Sequence, residues 1–305
     1  MATASTVLYK RTYLSQEPVI GFIEFLRGLV AGAPLPAAHV FSVRDRKLYV
    51  GYAFLVQQTQ GARGLRIDSL EGAFDRYWWN RGNFAANDEV LKALREEVLT
   101  ALDTQGTDEQ RLDAHLSAIC AVLRWGAGGT GLKLYRENMR WARENASTLV
   151  RRIRLARDAI DADVVDLSVF GGDEGARMNA GYTKLFALAC RASIIYDGRV
   201  GAALGLLTRM FCTAQKLSTV PEELAFRWGG QTSTGRFLPL PRNPSRGPLA
   251  FPALNTSDRI WARWNVQANW ILGEVQQGAD ADWCRGPDGL RRIEAALFTI
   301  GYHLP

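Results

Sequence analysis

Two residues of this chain have the chemistry of a nucleophile and a fixed anion. In the run MNAGYTKLFALACRASIIYDGRV, residues 178–200, Lys184 closes a Gly-containing turn and Asp197 follows thirteen positions later. A lysine amine attacks electrophilic carbon only when neutral, and apolar neighbours such as Leu185 and Phe186 disfavour its charged form by stripping hydration. Asp197 follows Ser193-Ile194-Ile195-Tyr196 and precedes Gly198-Arg199-Val200-Gly201-Ala202-Ala203-Leu204, where the N-cap of a helix is expected. An amine beside a carboxylate held at a helix start suits cleavage of an N-glycosidic bond, because positive charge grows on the sugar as the base departs. The plainer alternative is a surface lysine and an ordinary helix cap.

The elements that must position this pair read as helices. Apolar spacing and breakers place them at about 16–31, from Asn87 or Asp88 to Leu102, and at 107–125, 133–159, 177–191, 198–216, 257–277 and 287–300. Lys47 to Val56 is the main β-prone stretch. Gly126-Ala127-Gly128-Gly129-Thr130-Gly131-Leu132-Lys133 lacks the Gly-Lys-Ser/Thr of a P-loop and reads as a joint between helices. The Pro/Gly-rich stretch Gly229 to Pro252 reads as a long irregular loop. Trp261, Trp264 and Trp270, with Asn265 and Asn269 between them, read as core anchors.

Met178-Asn179-Ala180-Gly181-Tyr182-Thr183-Lys184 lies over the L-P-G-V-G-T-K hairpin of the helix-hairpin-helix DNA glycosylases, matching at Thr183 and Lys184. Tyr196-Asp197-Gly198-Arg199-Val200 lies over that family's V-D-x-H-V, matching at Asp197 and Val200. From about Trp125 to Phe211 the chain therefore resembles the 8-oxoguanine glycosylase branch. Its Ile195-Tyr196-Asp197-Gly198-Arg199-Val200 is similar to an element of defence-associated proteins of that type. Both hairpin glycines are replaced, by Ala180 and Tyr182, and the Lys-to-Asp spacing is shorter than in the family.

The resemblance implies a mainly α fold, a helix-hairpin-helix glycosylase-like helical fold with a small N-terminal β element. Residues 1–105 would form an N-terminal helical region with the β element, and 106–305 the glycosylase-like region with a C-terminal helical extension. It implies Lys184 and Asp197 as catalytic residues, with DNA contacts from Asn179, Gly181, Tyr182, Thr183 and Arg199. Arg151 and Arg154, in the arginine-rich stretch from Arg140 to Arg157, join these as DNA-binding candidates, since the guanidinium fork suits phosphate. A solvated helix face is the alternative for that stretch. A second series runs from Arg227 to Arg263.

A net charge of +6 permits nucleic-acid binding without demanding it. Cys120, Cys190, Cys212 and Cys284 form no C-x-x-C, and with three scattered histidines they suggest no metal site and no cofactor. The acidic cluster Asp161, Asp163, Asp166, Asp173 and Glu174 reads as a solvated loop. No apolar run suggests a signal peptide or membrane span, so a cytoplasmic protein is expected. Three functions are expected from the residues and the resemblance together: a base-excision glycosylase with lyase capacity, a non-catalytic nucleic-acid-binding module of a defence or mobile-element system, and a helical interaction protein.

Overall fold

A computed structural model describes residues 6–36, 39–42, 64–127, 133–230 and 241–304, with side chains omitted for 39–42, 64 and 65. The β-prone stretch 47–56, most of the joint at 128–132 and residues 231–240 of the long loop lie outside them. The protein is mainly helical, with a small strand pair at its N-terminal end. In chain order the elements are β1 (Val7–Tyr9), α1 (Lys10–Leu14), α2 (Glu17–Val30), β2 (His39–Ser42), β3 (Gly64–Ile67), α3 (Leu70–Phe74), α4 (Phe84–Asp103) and α5 (Asp108–Ala127). Then come α6 (Lys133–Glu144), α7 (Ala146–Ile160), β4 (Val164–Asp166), α8 (Tyr182–Ala189), α9 (Gly198–Ala214), α10 (Asp258–Gly278) and α11 (Gly289–Ile300).

The chain divides into two compact units, each assembled from three stretches of sequence. The first holds Met1–Tyr13, Ala85–Tyr196 and Asn255–Trp270. Here β1 pairs antiparallel with β4, Val7 opposite Asp166 and Tyr9 opposite Val164. α5 opens on a reciprocal cap, with Gln110 N donating to Thr107 Oγ1 (3.2 Å) and Thr107 N to Gln110 Oε1 (2.9 Å). The expected single helix over 133–159 is two, α6 and α7, parted at Asn145. The Asn145 amide donates to the Trp141 carbonyl (2.8 Å), a local bond that competes with the helical ladder. α4 begins at Phe84, ahead of the expected cap. Asn87 instead lies buried inside it and accepts from the Trp125 indole at 3.2 Å.

Trp264 and Trp270 are buried as expected, and the asparagines between them carry more than packing. Ile194 N donates to Asn269 Oδ1 (2.9 Å) and Asn265 Nδ2 to the Ile194 carbonyl (3.0 Å). Both main-chain groups of Ile194 are thus satisfied by side chains of one helix, which holds the segment after α8 in place.

The second unit holds Leu14–Phe84, Asp197–Leu254 and Ile271–Pro305. Its centre is α9, apolar nearly all round and buried from Val200 to Leu207, as such a helix must be. Close neighbours require glycine around it. A Cβ on Gly301 would lie 1.8 Å from the Arg199 carbonyl, and one on Gly198 would lie 2.6 Å from Gly229 Cα. Phe22 of α2 packs edge-on against Phe211 at 5.7 Å. Among the described residues no helix is long and apolar enough to cross a membrane.

Candidate functional site

The lysine of interest stands in the first turn of α8, in the first unit. The chain enters that helix through Met178, whose N–H donates to Asp258 Oδ1 at 2.7 Å. Burial raises the Asp258 pKa above its ordinary value, opposed by that hydrogen bond. Next, Asn179 Oδ1 accepts from Gly181 N (2.9 Å) and Tyr182 N (3.2 Å), taking the place of a cap residue. The Asn179 amide is held in turn by Asn138 of α6: Asn179 Nδ2 donates to Asn138 Oδ1 at 2.8 Å, and Asn138 Nδ2 returns at 3.3 Å. Gly181 is required for this approach, because a Cβ there would meet Asn138 Nδ2 at 2.2 Å and Leu123 Cδ2 at 2.9 Å.

Tyr182 and Thr183 are fully buried. The Tyr182 ring meets Trp141 edge-on at 5.2 Å, and its hydroxyl is buried with no hydrogen-bond partner among the described residues. Burial pushes that phenol well above its ordinary range. Tyr182, expected from the resemblance as a DNA contact, stands in the structure as a core residue of its unit. Sequence alone gives no sign of this, since its partner Trp141 lies on another helix.

Lys184 is buried, and its Nζ donates to the Ala180 carbonyl at 2.6 Å. Its stem passes over the end of α5, where a Cβ on Gly126 would lie 2.2 Å from Lys184 Cδ. Leu185 and Phe186 beside it are also buried, as their apolar character implies. The amine is therefore aimed by a carbonyl and a glycine-made gap rather than left on a solvated surface.

Asp197 belongs to the second unit and is the N-cap of α9. Its Oδ1 accepts from Arg199 N (2.8 Å) and Val200 N (3.1 Å), the role its position in the sequence implies. Its Oδ2 lies 3.9 Å from Arg199 Nη1. The Arg199 guanidinium is surrounded by rings, with centroids of Phe298, Tyr302 and Trp79 at 4.5, 4.9 and 5.0 Å. Trp79 is presented by a two-residue turn in which Asn80 and Arg81 both have positive φ, 46° and 67°.

The arginine-rich helix α7 divides its side chains between structure and surface. Arg152 is buried and fastens the 173–175 loop, with Nη1 on Gly175 O (2.8 Å) and Nη2 on Asp173 O (2.6 Å). Arg154 donates to the Leu102 carbonyl, and exposed Arg151 reaches Glu174 at 3.3 Å. Arg151 and Arg154 also line a cleft of about 880 Å³ with Arg111, Val150 and Leu155. In the acidic stretch, Asp166 accepts from Ser168 N and Oγ, bonds that lower its pKa. Among the described residues no group of His, Cys, Asp and Glu could hold a metal ion. No protein-family model, curated protein or solved structure matches the chain.

Proposed function

We propose that the chain acts on DNA as a base-excision N-glycosylase with abasic-site lyase capacity, using Lys184 as its nucleophile. The observation that carries this reading is the burial of Lys184 with its Nζ directed by the Ala180 carbonyl at 2.6 Å. A lysine so placed has lost most of its hydration and is held in one orientation, from which its lone pair attacks carbon once the amine has given up its proton. On a flipped nucleotide the Nζ lone pair attacks C1′, and the C1′–N bond breaks with its electron pair leaving on the base, which takes up a proton. Loss of a proton from Nζ and opening of the sugar ring then give an imine at C1′. The sequence resemblance gives Asp197 the role of stabilising the cationic sugar. Arg111, Arg151 and Arg154 line a cleft together with Asp108 and Glu109, Arg111 paired with Asp108 and Arg151 with Glu174, and their guanidinium groups are the phosphate contacts of this reading.

Borohydride reduction tests this. Duplexes carrying 8-oxoguanine, uracil or an abasic site should give a covalent adduct with wild type and none with Lys184→Met, which keeps the apolar stem. A trapped adduct of equal yield in that variant removes Lys184 from the chemistry.

A second reading, a non-catalytic nucleic-acid-binding module of a defence or mobile-element system, is favoured by one observation. The Gly181 and Tyr182 N–H groups, which a phosphate-binding hairpin would offer to DNA, donate to Asn179 Oδ1. Salt-dependent DNA binding without an adduct on any substrate would select it.

A further inference from the structure

In the second unit Arg199 and Arg242 form a cationic pair that the described residues do not neutralise. Both guanidinium groups lie over Tyr302, at 4.9 Å for Arg199 and 5.6 Å for Arg242. Among the described residues one carboxylate accompanies them, Asp197, at 3.9 Å from Arg199 and already accepting two backbone N–H bonds. Among the described residues the Arg199 guanidinium, with five N–H donors, makes no hydrogen bond at all, and its Nε is buried without a partner. Arg242, itself buried, uses only Nε, on the Tyr302 carbonyl at 3.2 Å. Burial, followed by the nearby Arg199 charge, holds the Arg242 pKa down to about 10.

Buried charges are normally paired and hydrogen-bonded, because desolvating an ion without compensation costs several kcal/mol, on the order of the whole stability of a domain. Two guanidinium groups sharing one carboxylate leave one positive charge in excess, together with most of their planar donors. The aromatic faces hold the cations in place, yet rings offer no hydrogen-bond acceptors in the guanidinium planes.

We infer that Arg199 and Arg242 form a binding site for a phosphate group, with Tyr302 as the platform that spaces the two forks. A tetrahedral phosphate offers enough oxygens to accept from both guanidinium groups at once, and its charge offsets the excess. The site stands on the second unit alone and goes beyond the glycosylase reading, holding whether or not Lys184 forms an adduct.

The test is calorimetric titration of the full chain with inorganic phosphate against chloride at constant ionic strength. Wild type should bind phosphate, and Arg199→Lys and Arg242→Lys, which keep the charge and remove the fork, should each weaken it by about tenfold or more. Arg66→Gln, at an exposed arginine of the same unit, should bind as wild type does. Circular dichroism establishes that each variant is folded. A nucleoside monophosphate and oligonucleotides with and without a 5′-phosphate separate the sources. Preference for the phosphorylated end indicates a terminal phosphate, and equal competition by both oligonucleotides indicates backbone phosphate. If neither competes, the ligand is a small free phosphate. Absence of phosphate binding to wild type overturns the inference, and so does binding unchanged in both folded lysine variants.

Discussion

The two helix starts that carry the candidate residues solve the same problem with different chemistry. At α8 the orphan N–H groups are accepted by a neutral amide, Asn179, locked to a second amide on α6. At α9 they are accepted by a carboxylate, Asp197, set among arginines and aromatic rings. The neutral cap leaves no charged cap beside the lysine of its own turn, whereas the anionic cap is itself a reactive group. Lys184 and Asp197 are therefore not equivalent as structural residues: a cap accounts for Asp197 Oδ1, and no cap explains a buried lysine.

The largest expected effect contrasts the two glycines. Gly198→Ala would drive a Cβ to 2.6 Å from the Gly229 backbone, which cannot rotate away, and should cost about 3 kcal/mol or more in denaturant unfolding. Gly181→Ala meets side-chain atoms of Asn138 and Leu123, which can shift, so about 1–2 kcal/mol is expected. Equal losses would mean that the loop bearing Gly229 yields as readily as a side chain.

Next come the caps themselves. Asn179→Ala removes two accepted N–H bonds and strands the Asn138 amide, for about 2 kcal/mol. Asp197→Ala should cost about 1–2 kcal/mol, while Asp197→Asn keeps the cap and should fall within about 0.5 kcal/mol of wild type. If Asp197→Asn is as harmful as alanine, the charge rather than the oxygen holds α9.

The smallest effect is one of pH. Burial lowers the pKa of His115 in the first unit and of His303 in the second below the ordinary 6.5. The unfolded chain then binds more protons than the folded one between the folded value and 6.5. Stability from these residues is complete above 6.5 and declines as pH falls through the folded values. His115→Gln, which keeps a donor for the Arg111 carbonyl, should flatten part of that decline. Urea midpoints measured above and below 6.5 check it, and a variant as acid-sensitive as wild type assigns the decline elsewhere.

Much of the helical framework was legible in the sequence, because amphipathic spacing and Gly/Pro breakers are local signals. α2, α5, α9, α10 and α11 begin and end close to where those signals place them. The Asp197 cap was legible for the same reason. The break at Asn145 and the late start of α8 were not, since each depends on a side chain competing with the backbone ladder. Arg152 hid among equivalent arginines, because only the fold brings the 173–175 carbonyls to it. The Asn138–Asn179 pair joins residues 41 apart, and no periodicity reveals such a contact. The i, i+4 spacing of Asn265 and Asn269 was visible as one helix face, but its partner, Ile194, was not.

Borohydride trapping of the full chain on abasic-site and modified-base duplexes tests the central claim most directly. The expected result is an adduct that maps by mass spectrometry to Lys184 and disappears in folded Lys184→Met. An adduct at another lysine, or none on any substrate despite DNA binding, would contradict it.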